Sequence, residues 1–324
     1  MARRSDRRSR IAARLLVRRV ADLGRVAHSH SDPRLALRQL FFGDMGLAPL
    51  RVRYFAGDPG GVHRKLCPGA ARCWPATGRD TARLERMNRE ICLSCQAIER
   101  YLGEEEERVH ALRGVSLDLE PCSIHAVVGP SGCGKSTLLY ILGLLDPPDA
   151  GRVSIESEAM LHLSDDELAH KRNEFIGFIF QFHFLMEDFS AQENVMIPMR
   201  RLGRLSDSEM RERAAGLLEA VGLGDKLRRP SRHLSGGEQQ RVAIARSLAN
   251  DPRVILADEP TGNLDTANSE RAFELLQNIV RQDEKALLLA THNPVIAEAC
   301  DWIHEMRDGR IIASHTSGRR RPGS

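Results

Sequence analysis

Residues 129–137 read Gly-Pro-Ser-Gly-Cys-Gly-Lys-Ser-Thr, which fits the spacing G-x-x-x-x-G-K-[ST]. Gly129, Gly132 and Gly134 let the backbone wrap closely, so that consecutive N–H groups can face phosphate oxygens. Pro130, Ser131 and Cys133 complete the loop. Lys135 is placed to reach the β- and γ-phosphates, Ser136 offers a hydroxyl to Mg²⁺, and Thr137 follows it. Two adjacent carboxylates, Asp258 and Glu259, end the apolar run Val254-Ile-Leu-Ala. One suits a Mg²⁺ shell and the other can polarise a water in line with the γ-phosphate. His292 ends Leu287-Leu-Leu-Ala-Thr, and Gln181 ends a dense apolar run starting at Phe175, where its side chain can reach ligand-bound Mg²⁺ or the attacking water. Ser235-Gly236-Gly237 opens a helix and makes a second anion-ready helix end. One domain holds one γ-phosphate, so the economical arrangement is a dimer in which each Ser-Gly-Gly faces the other subunit's nucleotide. The chemistry these residues imply is Mg²⁺-dependent handling of a nucleoside triphosphate.

Elements of predictable kind must hold these residues. Ile124–Val128 reads as a buried parallel strand, and Leu138, Leu139, Ile141 and Leu142 recur at helical spacing after the glycine loop. Val115-Ser-Leu-Asp-Leu alternates like a half-buried strand, and Gly151 begins another. Phe175–Leu185 reads as a dense apolar core strand ending at Gln181, and the region from Glu193 to Gly224 as helical. From Tyr101 onward, apolar runs alternate with amphipathic helices, the pattern of an α/β fold with a parallel sheet.

The remaining third is different in character. Eight arginines face one acid, Asp6, within the first 20 residues, with Ile11, Leu15, Leu16, Val20 and Leu23 on one helical face. Such a helix suits an anionic membrane surface or a partner, and a basic tail is the plain alternative. No apolar stretch approaches the ~18 residues needed to cross a bilayer, and the start lacks a secretory signal, so a cytoplasmic location is expected. Cysteines there are thiols or metal ligands rather than disulfides. Cys92-Leu-Ser-Cys95 has the spacing of a metal knuckle, and Cys67 and Cys73 form a looser pair. Four thiolates suit Zn²⁺, with an iron–sulfur cluster second, and Thr81–Glu90 would be a helix between the pairs.

Taken together, the glycine loop, Gln181, Leu-Ser-Gly-Gly-Glu at 234–238, Val254–Pro260, Asn263-Leu-Asp265 and His292 resemble the ATPase domain of ABC transporters. The resemblance covers about Tyr101 to Ile312. It implies a P-loop NTPase of ABC type, with a parallel-sheet core, an antiparallel β subdomain and a helical subdomain, preceded by a small basic module with four cysteines. It also implies ATP and Mg²⁺, and a head-to-tail homodimer that closes on two nucleotides. Carried onto matching positions, Lys135, Ser136 and Thr137 hold phosphate and Mg²⁺, and Asp258 supports the metal. Gln181 is the residue of the Q-loop, Glu259 is the general base, and His292 is the switch histidine. Ser235, Gly236 and Gly237 act on the partner's γ-phosphate, Asp265 couples the two sites, and Tyr101 stacks on adenine. Phe178–Leu185 with Asp188–Pro198 is similar to the ATPase subunits of lipoprotein-releasing (Lol-type) transporters, and Ala257–Asp265 and Met306–Arg310 fit that group and also the macrolide exporters and cell-division ATPases.

That likeness implies an integral membrane permease as partner, no direct nucleic acid, and a peripheral place on the cytoplasmic face of the bacterial inner membrane. A regulatory ATPase signalling to a membrane complex, or a nucleic-acid-associated ATPase, are the other readings. The expected divisions are 1–60 (basic segment), 61–100 (cysteine module), 101–315 (ATPase) and 316–324 (basic tail). Pro121-Cys-Ser-Ile replaces the Gly-Glu turn usual in the family.

Overall fold

The computed structural model describes residues 91–103, 108–262 and 265–317. The basic helix, the Thr81–Glu90 helix, Cys67, Cys73 and Asn263-Leu264 lie outside the described residues. In chain order the elements are β1 (Leu93–Leu102), β2 (Val109–Leu119), β3 (Ile124–Val128), α1 (Lys135–Leu142), β4 (Ala150–Ile155), β5 (Glu158–Ala159), α2 (Asp165–Phe175) and β6 (Ile176–Ile179). Then come α3 (Ala191–Leu202), α4 (Asp207–Ala220), α5 (Gly236–Ser247), β7 (Val254–Asp258), α6 (Thr266–Gln282), β8 (Ala286–Ala290), α7 (Pro294–Glu298), β9 (Trp302–Arg307) and β10 (Arg310–Thr316).

The described strands form an antiparallel sheet ordered β2-β1-β4-β5 and a larger one ordered β10-β9-β3-β8-β7-β6. In the larger sheet β9, β3, β8, β7 and β6 run parallel, and β10 closes one edge antiparallel. Parallel strands buried on both faces need continuous apolar sequence, and β7 and β8 are buried at every position. Their side chains alternate between two cores. Ile124, Ala126, Ile255, Ala257, Leu287 and Leu289 face the helical side with α3 to α6. Val127, Val254, Leu256, Leu288 and Ala290 face α1 and the antiparallel sheet.

Helix starts follow from local sequence. Ser164, Ser190, Ser206 and Ser235 each cap a helix and are each matched by a glutamate three residues on, giving reciprocal capping boxes. Gly177 in β6 allows the end of α5 to press on the strand, since a Cβ there would lie 2.3 Å from the Ser247 carbonyl.

Two expectations change. The run Phe175–Leu185 is not one strand: Phe175 ends α2, β6 stops at Ile179, and Gln181 opens a loop. The acid-rich start of α2 behind a Ser164 cap overrides the β propensity of a phenylalanine-rich stretch. The second change concerns where the fold begins, and with it Cys92 and Cys95. Tyr101 does not open the fold, because β1 starts at Leu93 and pairs with both β2 and β4. Cys92 and Cys95 are 6% and 1% exposed within the apolar core. The Cys95 thiol donates to the Val115 carbonyl at 3.9 Å, and burial pushes its pKa up to about 12. A metal knuckle needs a turn presenting two thiolates to one ion; here the spacing falls at an extended strand whose apolar side is inward. Among the described residues no group of three or more His, Cys, Asp or Glu side chains is arranged to hold a metal, and zinc or an iron–sulfur cluster has no support from Cys92 and Cys95.

A polar row crosses the sheet where β3 meets β9. Ser123 donates to the Glu120 carbonyl and can accept from His125 Nε2 at 2.9 Å. His125 Nδ1 then accepts from His304 Nε2 at 3.0 Å, and His304 Nδ1 accepts from Ser314 at 2.8 Å. Both rings are neutral in this donor order. Burial pushes the His304 pKa down to about 4. Between about pH 6.5 and about pH 4 the unfolded chain takes up a proton that the folded chain refuses, so stability falls with falling pH, by about 3 kcal/mol in all. Urea unfolding across this range should show that slope, and His304→Leu should flatten it.

Candidate functional site

All the parallel strands point their carboxyl ends at one edge of the sheet, where the chemistry collects. The glycine loop follows β3, Asp258 and Glu259 end β7, Thr291-His292 follows β8, and Gln181 follows β6 by two residues.

The loop is built around helix α1. Gly134, at φ 108°, precedes it in the left-handed region, and a Cβ there would lie 2.6 Å from the Ala111 carbonyl. Only glycine meets both demands. Among the described α-helices, α1 is the one without a side-chain cap. Its first-turn N–H groups are thus left for an outside acceptor, as an anion-binding helix end requires. The Lys135 ammonium curls onto its own loop, donating to the carbonyls of Gly129 at 2.8 Å and Pro130 at 3.1 Å. Cys133 is buried beneath the loop.

Ser136 and Asp258 are brought together from positions far apart in the chain. The Ser136 hydroxyl donates to Asp258 Oδ1 at 3.0 Å. Asp258 is 7% exposed. Burial raises its pKa, the Ser136 hydrogen bond works against that, and the charge of Glu259 adds to it. A hydroxyl and a carboxylate side by side, next to a phosphate cradle, are the hard oxygen donors that Mg²⁺ prefers. The residues present fit the ion.

Glu259 has φ 48°, rare for a residue with a side chain, and its N–H donates to the Ala290 carbonyl at 3.0 Å. This turn lifts its carboxylate off the strand, and Oε1 lies 3.2 Å from His292 Nδ1. The His292 side chain is 68% exposed, so the ring stands at the mouth of the site. Gln181 converges on the same place: a Cβ added to Gly262 would meet Glu259 Oε2 at 3.2 Å and Gln181 Nε2 at 3.5 Å.

Other expected residues lie apart from this cluster. Ser235, Gly236 and Gly237 begin α5, which packs on α3, α4, α6 and β6. Ser235 and Gly236 are exposed. Asp265 caps α6 by accepting from the Asn268 N–H at 2.9 Å, and Asn268 lies beside Gly237. The starts of α5 and α6 are therefore neighbours. Tyr101 pairs across the β1–β2 ladder with His110 and stacks on its ring at 4.1 Å, with the Arg108 guanidinium 4.3 Å from the Tyr101 ring centre. Its link to the loop runs through the residue after His110, Ala111, which abuts Gly134.

Two residues at the site carry no sequence motif. Tyr140, one helical turn beyond Ser136, donates its phenol to Asp258 Oδ2 at 3.3 Å. The (i, i+4) spacing from Ser136 was the available signal. Arg246, buried in α5, donates to the carbonyls of His183 and Phe184, each at 2.7 Å, tying α5 to the loop after Gln181. A charged residue on an apolar helical stripe pointed to it.

The chain is similar to several known proteins. Residues 112–262 match the family model described as ABC transporter. The lipoprotein-releasing system ATP-binding protein LolD of Aquifex aeolicus is 45% identical over 205 residues, 63% of this chain and 91% of that protein. Its namesake in Anaeromyxobacter dehalogenans is 50% identical over 202 residues, 62% of this chain and 84% of that protein. The dimeric ATP-binding cassette MJ0796, in a post-hydrolysis state with ADP and Pi, has a TM-score of 0.66 and 36% identity, covering 70% of this chain and 100% of that one. The structure of cbiO1 from Clostridium perfringens, part of the ABC transporter complex cbiONQ, has a TM-score of 0.63 and 26% identity, covering 70% and 89%. With the phosphate cradle, the paired carboxylates and these relatives in agreement, the chain belongs to the ABC transporter family as an ATP-binding, ATP-hydrolysing subunit.

Proposed function

We propose that this subunit energises a separate membrane permease that releases lipoproteins, working as a head-to-tail pair. The observation that carries the reading is the 45–50% identity to LolD proteins of lipoprotein-releasing systems across most of their length. The similar cassette MJ0796 is dimeric, and cbiO1 is part of an ABC transporter complex.

In the proposed cycle, Gly129–Thr137 wraps the phosphates of ATP and Tyr101 meets the adenine. Ser136 and Asp258 hold Mg²⁺, which neutralises charge on the phosphates when bound. Gln181 senses the γ-phosphate region from the loop that leads to the permease contact. Glu259, oriented by His292, takes the proton of the attacking water. Ser235, Gly236 and Gly237 complete the partner's pocket, and Asp265 joins the two sites.

The exposed Phe182, at 61%, and Phe189, at 38%, bracket the loop after Gln181 and suit an apolar partner helix. No helix among the described residues is long and apolar enough to cross a membrane, so the permease would be a separate chain. The subunit would then sit on the cytoplasmic face of the inner membrane, with residues 1–60 adding contact to anionic lipid.

The test is purification of the tagged full chain from detergent-solubilised membranes of its own host. An integral membrane protein should come down with it and raise ATP turnover, and Phe182→Asp should release that partner. A chain that emerges alone and binds DNA in a salt-dependent way would favour the nucleic-acid reading instead.

A further inference from the structure

We propose that Tyr140 is a positioning residue for the magnesium site, holding the Asp258 carboxylate in the rotation that sets Oδ1 beside the Ser136 hydroxyl. The inference rests on the reading of Ser136 and Asp258 as the Mg²⁺ groups. Ser136 and Tyr140 sit one turn apart on α1, so both hydroxyls reach the same carboxylate from one side. Oδ1 is 3.0 Å from the Ser136 hydroxyl and Oδ2 is 3.3 Å from the Tyr140 phenol. Were Ser136 to offer its oxygen to a bound ion, Asp258 would lose that donor. The phenol is then the remaining side-chain donor on a carboxylate that is almost fully buried.

Packing fixes where the phenol points. The Tyr140 ring lies 5.9 Å from Phe178 at 45° and 6.5 Å from Phe180 at 53°, and those two rings stack on each other at 4.3 Å. The ring rests on rigid neighbours, so its hydroxyl has little choice of acceptor. A donor locked in this way acts as metal-site supports generally do, by setting the orientation of a group that meets the ion. Phe180 continues the column outward to Phe184, edge-on at 5.4 Å, whose backbone Arg246 holds. The support of Asp258 is thereby built into the same packing as the loop after Gln181.

Tyr140→Phe removes the hydroxyl and keeps the ring. Mn²⁺ affinity would be read by electron paramagnetic resonance on full chain saturated with a non-hydrolysable ATP analogue, and analogue affinity would be measured separately in EDTA. The expected result is Mn²⁺ binding weakened about tenfold, the low end for loss of a supporting hydrogen bond, with metal-free nucleotide affinity unchanged. Mn²⁺ affinity equal to wild type would overturn the proposal, and so would a matching loss of metal-free affinity, which would mark Tyr140 as a general packing residue. Asp258→Asn separates the two layers. If it binds Mn²⁺ like wild type, the metal reading itself fails; if it is impaired while Tyr140→Phe is not, only the role of Tyr140 fails.

Discussion

Glu259→Gln stops steady-state ATP hydrolysis and leaves a dimer with ATP trapped inside. The substitution keeps volume and keeps a polar group beside His292 Nδ1, 3.2 Å from the native carboxylate. It removes only the capacity to accept a proton from water. General-base catalysis contributes about 10²- to 10⁴-fold, and turnover should fall by at least the lower figure. The cradle around Lys135 and the Ser136–Asp258 pair are untouched, so ATP still binds. If hydrolysis is what reopens the pair, ATP should move the variant to dimer mass in gel filtration and hold it there, whereas wild type returns to the starting species. A variant that keeps a rate near wild type would remove Glu259 from the base role and pass it to another group at the sheet edge.

The second large effect concerns who completes the pocket. Lys135→Ala removes the ammonium that now rests on the Gly129 and Pro130 carbonyls. Gly236→Asp places a carboxylate at the exposed start of α5. A Cβ at Gly236 meets nothing within 4 Å, so the protomer can accept the change without refolding. Each variant alone should be inactive, the first for want of a phosphate contact and the second through repulsion of the partner's γ-phosphate. In a mixture, a mixed dimer pairs the intact Lys135 of one chain with the intact Ser235–Gly237 of the other. Random pairing then restores about a quarter of the native sites. Recovered nucleotide trapping, read by filter retention of labelled ATP, supports the head-to-tail arrangement. A mixture as dead as its parts would mean that loop and helix start act within one chain.

Much of the site could be read before any fold was known, because it is written in short-range patterns. The loop Gly129–Thr137 and the helix that follows it are one contiguous motif. Ser164, Ser190, Ser206 and Ser235 announce their helices through a glutamate three residues away. The carboxylates Asp258 and Glu259 stand at the end of a strand whose apolar run already demands burial on both faces. Where local pattern was ambiguous, it misled. The Cys92-Leu-Ser-Cys95 spacing suits a metal turn and a strand equally, and pairing with β2 and β4 chose the strand. The phenylalanines of 175–185 looked like one strand, yet α2 runs through Phe175 and the chain leaves the sheet after Ile179.

The sequence by itself therefore determined which groups are the candidates: a glycine loop with its lysine and serine, an adjacent pair of acids and a histidine, each set by residues close together along the chain. Only the tertiary structure decided how they meet. The order β9-β3-β8-β7-β6 sets Asp258 against Ser136 across 122 residues and Glu259 against His292, and it brings the Tyr140 phenol to Asp258. Such contacts depend on which strands become neighbours, and that is settled by the burial of two sheet faces at once rather than by any local spacing.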